Sequence, residues 1–174
     1  MTIIIYFSRK DENFVNGQIK TLVKGNTKIL AEKIGEKLQL SVVEICPKVP
    51  YPFDYYEAMA IVEKEKVTKD KPIFHELAID WNRVETIFLG FPNWFGSLPQ
   101  IVVHFLETVD LSAKTIYPFC THEGSAFGCS LIELKKICPN ANVKVGLPVR
   151  GSRVEKADNA IANWLTQYSI TEEI

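Results

Sequence analysis

Hydroxyl groups and a glycine stand where the first strand-like run of this chain gives way to a helix. Ser8 and Arg9 follow that run, and Gly25–Asn26–Thr27 directly precede the helix. Asn26 can cap the helix, and the hydroxyl groups of Ser8 and Thr27 can donate to an anion beside its free amide groups. The residues favour a phosphate site, although a plain helix cap preceded by a glycine explains the same pattern.

Two large aromatic rings stand in a second segment. Trp94 and Phe95 lie between Pro92 and Gly96, directly after an apolar strand-like run. Flat rings at the end of a strand form a surface on which a planar ligand can stack. The alternative is that both rings close the end of the hydrophobic core.

A third segment, residues 121–128, combines hydroxyl groups, glycines and the start of a helix. It can hydrogen-bond the polar edge of a heterocycle, or it can be an ordinary loop capped by Ser125 with His122 at the surface. Taken together, the three segments describe a ligand that is phosphorylated, planar and polar, and FMN fits this description.

The elements that must position these segments alternate along the chain. Short β-branched and apolar runs predict strands at 2–7, 41–46, 85–91, 115–120 and 143–149, the last broken by proline and glycine. Apolar residues at helical spacing predict helices at 26–38, after a cap at Asp54, after a cap at Ser97, at 126–137 and at 154–168. This alternation predicts an α/β fold with a doubly wound five-stranded parallel sheet and helices on both faces. Ligands of such sheets bind beyond the carboxyl ends of the strands, where the three segments lie.

The composition excludes several classes of protein. The 174 residues include 47% hydrophobic and 24% charged residues, the mixture of a globular domain, and the net charge is −1. There is no basic field for nucleic acid and no apolar run that could cross a membrane. The four cysteines lack metal-ligand spacing, so we interpret Cys46 and Cys120 as buried, reduced thiols. We therefore expect a cytoplasmic protein with no metal, no nucleic-acid partner and no membrane partner.

The segments 6–9, 25–27, 88–96 and 121–128 resemble the flavodoxin family, and the likeness extends over about residues 2–168. It implies a flavodoxin-like fold, FMN bound without a covalent bond, and electron transfer between redox partner proteins, a reductase and an acceptor. It also implies the residues that contact the cofactor. The phosphate contacts are Ser8, Arg9, Asn26 and Thr27. The contacts to the flavin ring are Pro92, Asn93, Trp94, Phe95 and Gly96, with Trp94 as the stacking residue. The contacts to the pyrimidine edge are Thr121, His122, Glu123, Gly124, Ser125, Phe127 and Gly128.

Two features depart from the flavodoxin pattern. Residues 10–24 interrupt the phosphate loop, and we predict that they form a flap, with a turn at Asn16–Gly17, inserted in a single domain spanning residues 1–174. The net charge of −1 is also far from the strongly acidic charge of flavodoxins that dock to basic reductases. The leading hypothesis is an electron carrier with no catalytic residues of its own. The alternatives are an FMN-dependent NAD(P)H reductase acting on a quinone or other small acceptor, and a non-redox module that has lost its flavin.

Replacing Thr27 with alanine tests the phosphate site. The change removes a hydroxyl donor to a charged acceptor, so FMN affinity should fall by roughly 1.5–3 kcal/mol. Riboflavin has no phosphate, and its affinity should hardly change. Titration of the purified protein with both flavins measures the two affinities, and equal losses would show that Thr27 does not contact the phosphate.

Overall fold

The computed structural model describes residues 1–172, with side chains as far as Tyr168. Its strands are β1 (Thr2–Tyr6), β2 (Asp11–Val15), β3 (Gln18–Leu22), β4 (Val42–Glu44), β5 (Thr86–Pro92), β6 (Thr115–His122), β7 (Asn142–Val143) and β8 (Leu147–Arg150). The central sheet has the order β4-β1-β5-β6, and both β7 and β8 pair in parallel with β6. The last two are therefore one interrupted fifth strand. The resulting order 2-1-3-4-5 confirms the predicted doubly wound sheet.

The helices are α1 (Asn26–Leu38), α2 (Tyr55–Thr68), α3 (Gln100–Thr108), α4 (Ser130–Ile137) and α5 (Asp158–Glu172). Two short 3-10 helices lie at Trp81–Arg83 and Gly151–Lys156. The predicted cap of α2 is confirmed, because the Asp54 carboxylate accepts a 2.9 Å hydrogen bond from the Glu57 amide. The prediction that Ser97 caps α3 is wrong. Ser97 pairs with Trp94 in a tight turn, and α3 begins after Pro99.

Helices cover both faces of the sheet, as predicted. On one face, β5 side chains such as Leu89 and Phe91 pack against Phe105 of α3 and Leu134 of α4. On the other face, α1 and α5 cover the residues that alternate with these along the strands. Since successive side chains of a strand point to opposite faces, continuous apolar runs are what a sheet buried on both sides requires.

An aromatic cluster joins α5 to the sheet. Phe88 and Tyr117 stack with ring centroids 4.9 Å apart, and both Trp164 and Tyr168 of α5 meet Phe88 edge-on. The Tyr168 hydroxyl also lies 3.0 Å from Thr2 Oγ1, within hydrogen-bonding distance. The last helix is thereby tied to the first strand.

Residues 11–22 form a β-hairpin that is separate from the central sheet. Strands β2 and β3 pair in antiparallel, and the turn between them places Asn16 and Gly17 at positive φ, 52° and 80°. This is the backbone that Asn-Gly favours in two-residue hairpin turns. Among the apolar side chains expected to pack, Val15 is buried, whereas Phe14 is half exposed and Val23 is almost fully exposed.

The two ends of the hairpin meet at its base. A Cβ built on Gly25 would lie only 2.5 Å from the Arg9 carbonyl oxygen. The Arg9 guanidinium donates to the carbonyl groups of Glu12 and Pro52, and the Glu12 amide donates to the Phe53 carbonyl at 3.2 Å. The hairpin is therefore anchored to the segment before α2 rather than to the central sheet.

The cysteines are all free thiols, but their burial differs from the prediction. Cys120 is buried, and burial raises its pKa to about 12. Cys46 is exposed, because it lies just beyond the end of β4, so the prediction that it is a buried thiol is wrong. None of the described helices has the length and apolar character needed to span a bilayer.

Deleting residues 10–24 and joining Arg9 to Gly25 should leave a folded protein, because the two ends already lie together and the hairpin takes no part in the sheet. We expect unchanged helix and strand signals in circular dichroism and a cooperative thermal transition. Phe119→Ala is the comparison, since loss of a fully buried ring should cost about 3–5 kcal/mol. A deletion variant without a cooperative transition would show that the hairpin belongs to the core.

Candidate functional site

A cleft of about 200 Å³ lies at the carboxyl ends of β1, β5 and β6, where the strand order reverses. Most of the predicted site residues line it, from all three segments. They are Ser8, Arg9, Asn26, Thr27, Pro92, Asn93, Trp94, Phe95, Thr121, His122 and Glu123. The rule that ligands of a doubly wound sheet bind at this edge therefore brings residues separated by more than a hundred positions into one cavity.

The other predicted site residues, Gly96, Gly124, Ser125, Phe127 and Gly128, lie outside the cleft lining. A Cβ built on Gly128 would lie 2.5 Å from the Gly96 carbonyl oxygen, and that oxygen accepts a 2.7 Å hydrogen bond from the Cys129 amide. Phe127 is buried against Phe91. Gly128 and Phe127 thus hold the third segment against the second.

The start of α1 forms one end of the cleft. Gly25 occupies the cap position but has no side chain to contribute, and the Ser8 hydroxyl accepts a 3.1 Å hydrogen bond from the Lys28 amide instead. The Ser8 hydroxyl, and not the Asn26 side chain as predicted, therefore caps the start of α1. The Thr27 and Thr121 hydroxyl groups lie 2.7 Å apart. Because each hydroxyl carries one proton, their shared hydrogen bond leaves a second proton for another acceptor.

Arg9 is 7% exposed and lies beside this end of the cleft. Its terminal nitrogens donate to backbone carbonyl groups, including that of Pro52 at 2.7 Å. Its Nε is buried with no hydrogen-bond partner among the described residues. Burial lowers the Arg9 pKa, but a guanidinium remains charged in proteins. A buried donor of this kind is costly without a partner, so the site suits a ligand that supplies an acceptor.

Trp94 and Phe95 form one wall of the cleft. The Trp94 ring meets Phe7 and Tyr51 nearly perpendicularly, with centroids 5.2 Å and 5.3 Å away, so it also closes the core. Phe95 has a φ of 49° at the tip of the tight turn and is 50% exposed. A positive φ is unusual for a bulky side chain and is found most often where function requires it.

The cleft lining also includes residues that were not predicted from sequence as site residues: Phe14, Tyr55 and Met59, together with Asn13. The Phe14 and Tyr55 rings lie 6.3 Å apart. Gly151 also lines the cleft. It directly follows β8, so the rule about carboxyl ends of strands could have identified it, whereas Phe14 reaches the cleft only through the position of the hairpin.

Asn93 fixes the polar edge of the cleft. Its backbone amide donates to the Thr121 carbonyl at 2.8 Å, and its side-chain nitrogen donates to the Ser125 hydroxyl at 2.8 Å. The Ser130 hydroxyl donates to the Asn93 side-chain oxygen. Both ends of the Asn93 amide group are thus used to join the loop after β5 to the loop after β6.

His122 is a neutral hydrogen-bond donor in this cleft. Burial and the nearby Arg150 charge lower its pKa, so the ring is uncharged at neutral pH. Its Nδ1 accepts a 3.0 Å hydrogen bond from the Gly124 amide, which places the ring proton on Nε2. The imidazole can therefore donate to a ligand carbonyl or ring nitrogen.

Glu123 crosses the cleft to the hairpin. Its Oε2 accepts a 2.9 Å hydrogen bond from the Asn16 amide at the hairpin tip. Its Oε1 is buried with no hydrogen-bond partner among the described residues. The cleft is consequently bounded by the sheet edge on one side and by the hairpin on the other.

Comparison with known proteins identifies the family. The family model described as Flavodoxin matches residues 20–168. This chain belongs to the flavodoxin family. A candidate flavoprotein from Bacteroides uniformis superposes on this flavodoxin with a TM-score of 0.72 at 25% identity, covering 92% of this chain and 97% of the other. A flavoprotein from Lactobacillus acidophilus in complex with FMN superposes with a TM-score of 0.66 at 23% identity, covering 89% and 96% of the two chains. No curated protein sequence matches the chain.

Family membership confirms the predicted fold and FMN as the cofactor of this flavodoxin. The cleft fits that cofactor. The start of α1 and the unpaired Arg9 Nε suit a phosphate, and the walls containing Trp94 and Phe14 suit a flat ring. His122 supplies a neutral donor for a polar ring edge. When bound, FMN supplies the capacity to accept and release electrons.

Replacing Trp94 with alanine should have two separable effects. If Trp94 stacks on the flavin, FMN affinity should fall by about 0.5–1.5 kcal/mol beyond the loss of buried area, and quenching of flavin fluorescence should decrease. Because Trp94 also packs on Phe7 and Tyr51, the flavin-free protein should lose stability as well.

Phe95→Ala is the control for that variant. Phe95 is exposed at the tip of its turn, so the flavin-free protein should keep its melting temperature. Fluorescence titration and thermal denaturation measure both effects. A fluorescence change in Phe95→Ala without one in Trp94→Ala would assign the stacking role to Phe95.

Proposed function

We propose that this flavodoxin is a cytoplasmic electron carrier, which exchanges electrons through bound FMN with a reductase and an acceptor protein. The observation that carries the proposal is that aromatic side chains of the cleft also reach the protein surface, with Phe95 50% exposed at the tip of its turn. Side chains that line the cofactor cleft and are exposed can contact a partner protein while FMN is bound, so electrons can pass at this edge.

Exposed aromatic side chains around the cleft support contact with a protein partner. Phe14 is 44% exposed, Phe53 55% and Tyr56 70%, and Tyr56 packs on the cleft residue Tyr55. Aromatic residues are enriched at the centres of protein interfaces. With a net charge of −1, docking would rest on these apolar contacts more than on long-range electrostatic attraction.

The site residues of a carrier hold the cofactor without taking part in bond making. Arg9 and the start of α1 bind the phosphate, Asn93 keeps two loops in register, and the aromatic walls exclude water from the ring. The four free thiols are compatible with a reducing compartment, which supports the proposed cytoplasmic location.

A second function, an FMN-dependent NAD(P)H reductase, is favoured by one specific observation. A neighbouring cleft of about 380 Å³ shares Ser8 and Arg9 with the first and is also lined by Lys10, Lys24 and Lys28. Clustered ammonium groups suit the phosphates of a dinucleotide, which would have to compete with Glu32 for Lys24 and with Glu44 for Lys28. In this case the nicotinamide would approach the flavin from the side of the hairpin base.

Anaerobic mixing of the FMN-loaded protein with NADH or NADPH separates the two functions. For a carrier, flavin absorbance should bleach only when a separate flavodoxin reductase is added. For a reductase, it should bleach within seconds without one, and Lys24→Gln in the second cleft should slow the reaction. If bleaching is rapid in the wild type and slower in Lys24→Gln, the protein is a reductase and the proposal of an electron carrier is wrong.

A further inference from the structure

Glu123 places a carboxylate at the end of the cleft that is suited to an anion. A Cβ built on Gly151 would lie 2.4 Å from Glu123 Oε1 and 2.5 Å from Asn26 Nδ2. Asn26 is the first residue of α1. The carboxylate oxygen and the start of α1 are therefore neighbours, and both lie beside Gly151.

The Arg150 guanidinium lies close to the neighbouring Gly124, but it forms no ion pair with this carboxylate. Glu123 takes part in none of the ion pairs among the described residues. Its Oε1 is buried without a donor, and its Oε2 has the Asn16 amide of the hairpin tip. The positive end of the α1 dipole also faces this space, and it would equally suit a phosphate.

We propose that Glu123 is an internal competitor for the flavin phosphate and, at the same time, the latch of the β2–β3 hairpin. This inference rests on FMN binding in the cleft. A phosphate carries up to two negative charges, and like charges held close together in a poorly hydrated space repel strongly. FMN therefore has to move the Glu123 side chain away from the start of α1, and this movement breaks its bond to Asn16.

The hairpin is built to respond to that movement. Its base is held by Arg9 and by the Glu12 amide, whereas Glu123 holds its tip from the opposite side of the cleft. Loss of the Glu123 contact leaves the tip held by the packing of Val15 and Phe14, while the base keeps its hydrogen bonds. The same residue thus couples occupation of the phosphate site to opening of the cleft.

The latch also sets ligand selectivity. Inorganic phosphate would have to displace Glu123 without any contact to the aromatic walls, so it should bind poorly. FMN can offset the free-energy cost of displacing Glu123 because its ring also contacts the aromatic walls. Riboflavin does not have to displace Glu123, and its affinity should not depend on the Glu123 charge.

Glu123→Gln tests the competition, because it removes the charge and keeps a carbonyl oxygen for the Asn16 amide. In calorimetric titrations of the flavin-free protein, FMN should bind about tenfold more tightly than to the wild type. Inorganic phosphate binding should become measurable, and riboflavin affinity should not change. Glu36→Gln is the matched control. Glu36 is an exposed carboxylate near the far end of α1 and does not line the cleft, so FMN affinity should stay at the wild-type value.

Two outcomes of this titration would overturn the proposal. Parallel weakening of FMN and riboflavin in Glu123→Gln would mean that Glu123 accepts a hydrogen bond from the sugar-like chain that both flavins share. Unchanged FMN affinity would mean that the carboxylate does not compete with the phosphate.

Amide hydrogen exchange measured by NMR tests the latch separately. Adding FMN to the wild type should speed exchange of the Asn16 amide while amides of the cleft become protected. Slower exchange at Asn16 would contradict the latch. In the flavin-free protein, Glu123→Ala should speed Asn16 exchange without any ligand. This measurement on the flavin-free protein tests the latch even if FMN does not bind. Failure of FMN to bind would refute the proposed function and not the contact between Glu123 and Asn16.

Discussion

The close approach of Gly25 to the end of β1 is the constraint on which the site depends. A Cβ at this position would lie 2.2 Å from the Ser8 hydroxyl oxygen. Because Gly25 has no Cβ, Ser8 can accept a hydrogen bond from the Lys28 amide and cap α1 from the end of the neighbouring strand. The same contact directs the start of α1 into the cleft and brings the two ends of the hairpin together. A side chain at Gly25 would separate strand, helix and hairpin at once.

The two walls of the cleft differ in how they are supported. The wall after β5 and β6 rests on the sheet, and the Asn93 amide group joins its two loops through Ser125 and Ser130. The wall that carries Phe14 belongs to a hairpin held at its base and at its tip. This difference suits a flavoprotein, because the rigid wall can tune the bound flavin while the hairpin wall can admit it.

Sequence patterns predicted the parts of the molecule that depend on local preference. The apolar run of β1, the Asn16–Gly17 turn and the Asp54 cap each follow from neighbouring residues, and the sheet order follows from the alternation of strands and helices. The end of the sheet at which the site lies also follows from that topology.

Long side chains and loop geometry could not be predicted in this way. The prediction of Arg9 beside the phosphate could not show that its terminal nitrogens donate to carbonyl groups such as that of Pro52, more than forty positions away, and leave Nε for a ligand. The contact of Glu123 with Asn16 depends on how the hairpin folds over the sheet edge. Phe127, which the resemblance places at the pyrimidine edge, is buried against Phe91, and Gly146 leaves room for its ring. Such contacts are set by tertiary structure, on which spacing along the chain carries no information.

The tie between Tyr168 and Thr2 affects how this protein folds during synthesis. All strands of the sheet leave the ribosome before α5, and until α5 follows, α1 alone covers the face that carries the stacked rings of Phe88 and Tyr117. A nascent chain at this stage carries a complete sheet with a partly uncovered aromatic face, which neighbouring chains or a chaperone can bind. Premature termination before Trp164 would therefore produce an aggregating fragment rather than a smaller folded domain.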